Sequence, residues 1–173
     1  WLRAKEDPQV IAHLESENAY TEAITEHLEG LRTTIYEEIR GRTQETDMSV
    51  PSRKAGWWYY ARIVEGQNYS TSCRIPVTDE SDWEPPIVDS IDQASEQVIL
   101  DSNVEAEGHE FFQLGAIALT DDHNTMAWTV DTVGDERYSL HLRNLTDGSQ
   151  SNDVLTDISP GVVWSQDASV IFY

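Results

Sequence analysis

The sequence lacks several features that mark whole classes of protein. It has one cysteine, Cys73, in 173 residues. An internal disulfide is therefore impossible, which excludes a small disulfide-stapled secreted scaffold and fits a reducing compartment. No apolar run reaches the roughly 20 residues that a membrane-spanning helix needs. We therefore expect a cytoplasmic protein that does not bind membranes.

Basic residues are also scarce. Eleven Lys and Arg face 32 Asp and Glu, so the formal net charge is −21. Such a surface repels nucleic acid and anionic membranes and attracts cationic ligands. Solubility or adaptation to salt is the alternative explanation of this charge. Aromatic residues are well represented, with six Trp and seven Tyr, which excludes a disordered tail.

The motifs of common catalytic sites are missing. There is no Gly-x-Ser-x-Gly nucleophile elbow, no His-Glu-x-x-His and no Cys/His cluster at zinc spacing. Ser149 follows Asp147-Gly148, which favours a turn serine over a nucleophile. We predict no catalytic, cofactor-binding or metal-binding residue within the chain, and no cofactor.

The remaining chemically capable residues have structural interpretations. His13 and His27 belong to a helical segment and are predicted to be partly buried, whereas His123 falls in a turn. Cys73 lies in a strand pattern and is predicted to be a buried small apolar residue. The aromatic run at 57–60 could stack on bases. Its acidic surroundings favour core packing instead.

Residues 1–47 have a helical pattern. Asp7 is a candidate cap, Pro8 suits the first turn and Gly41 is a stop signal. The pattern exceeds a usual helix length, so both two helices and one bent helix are possible, with the joint predicted at the polar Glu15–Asn18. The apolar positions recur at steps of three and four: Val10, Ile11, Leu14, Tyr20, Ile24, Leu28, Leu31, Ile35 and Ile39.

From residue 48 to residue 173 the period changes to two, which is typical of β-strands. Turn chemistry separates the apolar stretches, with Glu65-Gly66, Gly134-Asp135 and Asp147-Gly148 between them. The predicted strands are 57–63, 70–75, 116–120, 126–130, 138–145 and 170–173.

One pattern occurs twice in this second region. "GAIALTDDHNTMAW" begins at Gly115, and "PGVVWSQDASVIFY" begins at Pro160. The alignment pairs Thr120 with Ser165 and Asp122 with Asp167, 45 positions apart. Residues 115–159 have room for four short strands, and such a unit has the size of a β-propeller blade. Residues 50–101 could form an earlier blade, although their internal match is looser.

These patterns predict an α+β fragment. A helical extension at 1–47 would precede an incomplete β-propeller at 48–173, with about two four-stranded antiparallel blades and the start of a third. Because a propeller has at least about four blades, we expect the chain to be a piece of a longer protein.

Several phrases resemble the prolyl oligopeptidase family of serine peptidases, and within it the oligopeptidase B (protease II) branch. The "VDTVGDERY" phrase resembles that branch most. Where the family usually has Ser-Pro-Asp in the turn, this chain has Thr120-Asp121-Asp122. The phrases that carry the resemblance are "WLR" at 1–3, "DPQVIAHLESENAYTEA" at 7–23, "VPSRKAGWWYYAR" at 50–62, residues 107–148 and "VVWSQDASVIFY" at 162–173.

The resemblance implies a propeller that caps an α/β-hydrolase domain, and an enzyme that cleaves short peptides after Arg or Lys. Its triad would lie beyond Tyr173, so we expect the chain itself to be inactive, with short basic peptides and the hydrolase domain as partners. Exposed strand edges and aromatics near Phe172 would favour a homodimer. The rival interpretation is a non-catalytic propeller that binds partners, and a weaker one is a natural truncation acting as an interaction protein.

Overall fold

A computed structural model of the chain describes residues 1–81, 83–87 and 94–173. The chain divides into two compact units, Trp1–Gln44 and Glu45–Tyr173. The sequence period changes at Met48, a few residues after this division. Within the described residues, no helix is both long and apolar enough to cross a membrane.

The first unit is helical. Asp7 caps the first helix, since its Oδ1 accepts a hydrogen bond from the Gln9 N–H at 2.9 Å, and Pro8 follows in the first turn. Gly41 ends the second helix, and its N–H donates to the Glu37 carbonyl at 2.9 Å. The helices are α1 (Pro8–Thr25) and α2 (Glu29–Arg40), joined by a 3₁₀ turn (Glu26–Leu28).

The joint predicted at Glu15–Asn18 is wrong, because those residues lie inside α1. Their side chains are exposed and none is Gly or Pro, so nothing interrupts the backbone ladder there. The α-helical hydrogen bonding ends at Thr25, where a 3₁₀ turn begins and leads into α2. The structure therefore has two helices without an intervening loop.

Most of the apolar stripe on these helices is exposed to solvent. Val10 is buried, but the other large apolar side chains are between about a third and two thirds exposed. The stripe is therefore not the core of its own unit. The exposed members are Ile11, Leu14, Tyr20, Ile24, Leu28, Leu31, Ile35 and Ile39.

The second unit begins with an antiparallel sheet in the order β1–β3–β4–β5, with β2 also paired to β3. The prediction at 57–63 matches β3, and the strand predicted at 70–75 is one residue early. β5 was not predicted, because its apolar residues do not alternate cleanly with polar ones. The strands of this first sheet are β1 (Asp47–Met48), β2 (Ser52–Lys54), β3 (Trp57–Ile63), β4 (Thr71–Pro76) and β5 (Gln97–Asp101). A short helix, α3 (Ser102–Glu105), follows.

The second sheet is the four-stranded unit that the repeat predicted, with neighbours in chain order. Gly115 lies at a register shift in its first strand, where a Cβ would come within 2.5 Å of the Thr129 hydroxyl and 2.8 Å of the Tyr138 ring. Only glycine fits that close approach. The strands are β6 (Gln113–Leu119), β7 (Thr125–Asp131), β8 (Tyr138–Asn144) and β9 (Leu155–Ile158).

β7 is buried on both faces. Met126, Trp128 and Val130 pack with Ile99 and Leu100 of the first sheet in one core. Ala127, on the opposite face, packs in a second core with Leu140 and Val162.

The third sheet is a two-stranded ribbon, β10 (Val163–Trp164) with β11 (Ile171–Phe172). The Trp164 Nε1–H donates to the Ala118 carbonyl of β6 at 3.2 Å. Phe172 and Tyr173 are exposed, whereas Trp164 is partly buried. Three successive antiparallel sheets therefore pack face to face without closing, as expected for the first blades of a propeller.

Candidate functional site

A crevice of about 750 Å³ lies among the three sheets of the second unit. Tyr59 and Cys73 line it from the first sheet, Thr120 and His123 from the second, and Trp164 from the third. We call it the inter-sheet crevice. It is the place where polar side chains of different sheets meet.

Asp122 organises the turn between β6 and β7. Its Oδ1 accepts hydrogen bonds from the Thr120 hydroxyl at 2.6 Å and from the Asn124 N–H at 3.0 Å. The Thr120 hydroxyl oxygen accepts the Thr125 N–H at 3.1 Å. His123 occupies the left-handed corner, with φ of 57°. We call residues 120–125 the Asp122 turn.

The turn between β10 and β11 repeats this arrangement. Asp167 Oδ1 accepts from the Ser165 hydroxyl at 2.7 Å and from the Ser169 N–H at 3.2 Å. The Ser165 hydroxyl accepts the Val170 N–H at 3.0 Å, and Ala168 takes the corner with φ of 57°. The matching bonds confirm the predicted alignment of the two stretches. We call residues 165–170 the Asp167 turn.

His123 connects the Asp122 turn to the first sheet. Its Nδ1 lies 2.6 Å from the Tyr59 hydroxyl of β3. Arg74 Nη1 of β4 donates to the His123 carbonyl oxygen at 2.6 Å and to the Tyr59 hydroxyl oxygen at 3.2 Å. We call these three residues the Tyr59–Arg74–His123 cluster.

The guanidinium of Arg74 is buried, with 2% of the residue exposed. Its Nε donates to Gln97 Oε1 at 2.8 Å, and it lies 3.9 Å from the centre of the Trp57 ring. Gln97 in turn donates to the Leu145 carbonyl of the second sheet's β8–β9 turn at 2.5 Å. These partners are uncharged, so the positive charge is held by dipoles and an aromatic face.

Both titratable groups beside Arg74 are held in their neutral forms near neutral pH. Burial raises the pKa of Tyr59, against the hydrogen bond and charge of Arg74. Burial lowers the pKa of His123, and the charges of Arg74 and Lys54 add to that effect against Asp121 and Asp122. The Tyr59 oxygen accepts from Arg74, and its hydroxyl donates to Nδ1 of His123 when the imidazole carries its proton on Nε2.

Cys73 lines the same crevice and is fully buried, which confirms the predicted small apolar role. Burial, and next the Glu96 charge, raise the pKa of its thiol to about 12, so it is no thiolate nucleophile. Beside it, Glu96 accepts from the Tyr60 hydroxyl at 2.6 Å and pairs with Arg62 Nη2 at 3.1 Å. This pair is structural.

Asp131, in the "VDTVGDERY" phrase, builds the loop between β7 and β8. Its carboxylate accepts the N–H groups of Val133 and Gly134 at 2.8 Å and of Glu136 at 2.9 Å. Burial by itself would raise the pKa of Asp131, but these backbone hydrogen bonds outweigh it and hold the pKa below its usual value. The phrase therefore has a structural role in this chain.

The structure places the other sequence candidates away from any common site. The Ser149 hydroxyl donates to Asp147 Oδ1 at 2.6 Å in the β8–β9 connection, as predicted for a turn serine. His13 and His27 are exposed, so their predicted partial burial is wrong. The His13 ring lies at the surface and contacts Trp1 at 5.1 Å between centroids. Among the described residues, no group of three His, Cys, Asp or Glu could hold a metal ion.

Sequence reasoning did not find the Tyr59–Arg74–His123 cluster. It assigned His123 to a turn and Tyr59 to a core, and neither assignment indicates that they meet. The one available signal is the repeat, which has His at one corner and Ala168 at the other. The core packing predicted for the aromatic run at 57–60 is confirmed for two residues: Trp58 and Tyr60 are buried, while Trp57 and Tyr59 are partly exposed.

The family model described as "Prolyl oligopeptidase, N-terminal beta-propeller domain" matches residues 1–173. The chain belongs to this family. Dipeptidyl aminopeptidase BI from Pseudoxanthomonas mexicana is 35% identical over 184 residues, which cover 100% of this chain and 24% of that protein. Protease 2 from Moraxella lacunata is 27% identical over 179 residues, again 100% of this chain and 24% of the relative.

Solved structures give the same result for the fold. Oligopeptidase B from Leishmania major aligns with a TM-score of 0.78 at 32% identity, over 92% of this chain and 21% of that one. Oligopeptidase B from Trypanosoma brucei aligns with a TM-score of 0.76 at 34% identity, with the same coverage. The chain thus spans about a quarter of the length of the curated relatives it matches. It corresponds to the N-terminal propeller region of a prolyl oligopeptidase family peptidase.

Proposed function

We propose that the chain is the propeller portion of an oligopeptidase B-like serine peptidase that cleaves short peptides after Arg or Lys. The observation that carries the proposal is the alignment with two oligopeptidase B structures at 32% and 34% identity and TM-scores of 0.78 and 0.76. In this proposal the nucleophile, base and acid belong to an α/β-hydrolase domain outside residues 1–173. The chain's part is to exclude large substrates and to attract small basic ones.

The negative charge of the turns supports the proposed attraction of small basic substrates. Asp121, Asp122 and Asp147 lie at one end of the second sheet, and all three are exposed. Asp167 lies at the same end of the adjoining ribbon, since Trp164 of β10 bonds beside the end of β6. We call these four residues the acidic end. Their field would raise the local concentration of cationic peptides.

Hydrogen bonds hold three carboxylates of the acidic end, those of Asp122, Asp147 and Asp167, ionised well below neutral pH. Hydrogen bonds from Thr120 and Asn124 lower the pKa of Asp122. Hydrogen bonds from Ser165 and Ser169 lower the pKa of Asp167 to about 2. The Ser149 hydroxyl and N–H lower the pKa of Asp147.

The test uses the complete open reading frame that contains this chain, beside residues 1–173 alone. A fluorophosphonate probe should label one serine of the longer protein, which should release a fluorophore from an Arg-terminated peptide. Residues 1–173 alone should show neither reaction. Labelling of any serine within residues 1–173 would overturn the proposal. A longer protein that neither labels nor hydrolyses would favour the non-catalytic binding module.

Salt separates the two explanations of the charge. The kcat/KM of the longer protein for an Arg peptide should fall as ionic strength rises from 0.01 to about 0.15 M, because the Debye length shrinks from about 30 to 8 Å. The control is a matched peptide with the uncharged residue citrulline in place of Arg, whose kcat/KM should depend less on ionic strength. Equal responses would leave solubility as the role of the charge.

A further inference from the structure

Two sheets of the second unit are joined at the inter-sheet crevice by one charged and two titratable side chains. Tyr59 and Arg74 come from the first sheet, and His123 from the Asp122 turn of the second. Leu119 lies beside this contact, in the same core as Tyr59 and Ile99 of the first sheet. Opening the contact would therefore give solvent a path to the side chain at position 119.

The groups that face His123 come from every element around it. β2 contributes Lys54, β3 contributes Tyr59 and β4 contributes Arg74. Its own turn contributes Asp121 and Asp122. Of these, Asp122 is already engaged by Thr120 and Asn124.

We propose that the Tyr59–Arg74–His123 cluster is a pH-sensitive latch between the first two sheets, closed while the imidazole of His123 is neutral and released when it gains a proton. The geometry carries the proposal. In the closed state the Tyr59 hydroxyl donates a hydrogen bond to Nδ1, while Arg74 donates to both the Tyr59 oxygen and the His123 carbonyl.

Protonation removes the acceptor at Nδ1 and leaves the Tyr59 proton without its partner. It also places a second positive charge beside a guanidinium whose position is fixed by Gln97 and Trp57. Both effects favour separation of the turn from the first sheet. Because the closed state lowers the pKa of His123 below the ordinary 6.5, the open state binds more protons in the window just below that value. The latch is therefore strongest above pH 6.5 and weakens as the pH falls.

A second histidine would give a pH dependence of the same sign, and the experiment must separate its contribution from that of the latch. His141 stacks on Trp128 at 4.7 Å, and burial lowers its pKa too. His123→Asn is the matched variant. Asn tolerates the left-handed corner but does not titrate, and His141 stays intact.

The thiol of Cys73, the single cysteine of the chain, lies with Tyr60 and Glu96 on the other face of the first sheet. The reference chain for the test therefore carries Cys73→Ser and Leu119→Cys, and all further variants are made in it. The reaction of its one thiol with 4,4′-dithiodipyridine, which proceeds in mildly acidic solution, is followed from pH 7.5 to 5. Each rate is divided by the rate of the urea-denatured chain at the same pH, so that thiol ionisation cancels. The ratio measures how often the crevice opens.

For the reference chain the protection should fall by up to about tenfold for each pH unit below 6.5, the limit for one linked proton. In His123→Asn the fall should be clearly shallower, with only the His141 contribution left. Tyr59→Phe should lower protection already at pH 7.5 and reduce its pH dependence. Ala168→His, at the corner of the Asp167 turn, should leave the reference profile unchanged.

Equal slopes for the reference chain and His123→Asn would overturn the proposal. If His123→Asn proves unfolded by circular dichroism, the Tyr59→Phe profile decides. A native-like slope in that variant contradicts the latch, and a flattened slope supports it.

Discussion

The Asp122 turn and the Asp167 turn have the same backbone and different consequences. Each has a hydroxyl, an aspartate and a left-handed corner at φ of 57°, with matching hydrogen bonds. The first presents His123 at the corner and is tied to Tyr59 and Arg74 of the preceding sheet. The second presents Ala168, which is exposed. Local sequence thus fixes the shape of a turn, and one corner side chain determines whether the turn also joins two sheets.

The largest expected effect comes from removing the guanidinium that holds the Asp122 turn. Arg74→Met should strip partners from Gln97, Tyr59 and the His123 carbonyl, and each buried polar group left unsatisfied costs about 1–3 kcal/mol. Urea unfolding measures the loss. Arg137→Met is the control, because its pair with Asp157 is exposed and is worth less than about 1 kcal/mol. Equal losses would show that Arg74 has no special role.

Exchanging the corner residues tests the comparison itself. His123→Ala copies the second turn into the first and should lower the free energy of unfolding at pH 7.5 by about 0.5–1.5 kcal/mol, the net worth of one hydrogen bond. Ala168→His makes the reverse change at an exposed corner and should stay within about 0.5 kcal/mol. Thermal or urea unfolding at two pH values measures both. A larger loss for Ala168→His would contradict the account.

Coupling between the sheets is a smaller and more specific effect. Tyr59→Phe and His123→Ala combined should cost less than the sum of the two, with an interaction energy of at least about 0.5 kcal/mol. The matched cycle joins Tyr59→Phe with Ser165→Ala, whose side chain serves only the Asp167 turn. That cycle should be additive. Additivity in both cycles would mean that the 2.6 Å contact contributes nothing measurable.

The smallest difference concerns the hydroxyls that cap the two turns. Thr120→Ala should destabilise more than Ser165→Ala, although each removes a bond to an aspartate. Thr120 is buried, with 4% exposed, whereas Ser165 is partly exposed, so water can replace only the second hydroxyl. A difference of about 1 kcal/mol is expected. A larger loss of unfolding free energy for Ser165→Ala than for Thr120→Ala would contradict this expectation.

Much of the fold followed from the sequence, because period and turn chemistry are local signals. The strands around Trp57–Ile63 and the repeat from Gly115 were found in this way. The helix joint was misplaced, since exposed polar residues such as Glu15–Asn18 do not break a helix; the 3₁₀ turn comes at Glu26–Leu28. β5 was missed because its apolar residues, which pack against the second sheet, do not alternate cleanly with polar ones.

The cluster could not be predicted, because Tyr59 and His123 are 64 positions apart and meet only when two sheets stack. Nothing in either segment indicates the other. Burial of Arg74 among uncharged hydrogen-bond partners also contradicts the usual expectation that charged side chains lie in water. The difference between His123 and Ala168 within a repeat is the feature that sequence reading should have used.

The state of the His123 imidazole tests the central claim most directly. A long-range ¹⁵N–¹H spectrum of the labelled chain, with His123→Asn used for assignment, reports which ring nitrogen carries the proton and at what pH the ring titrates. The account predicts the Nε2–H tautomer at pH 7.5, with Nδ1 accepting from Tyr59, and a pKa below 6.5. An Nδ1–H tautomer, or a pKa at or above 6.5, would contradict it.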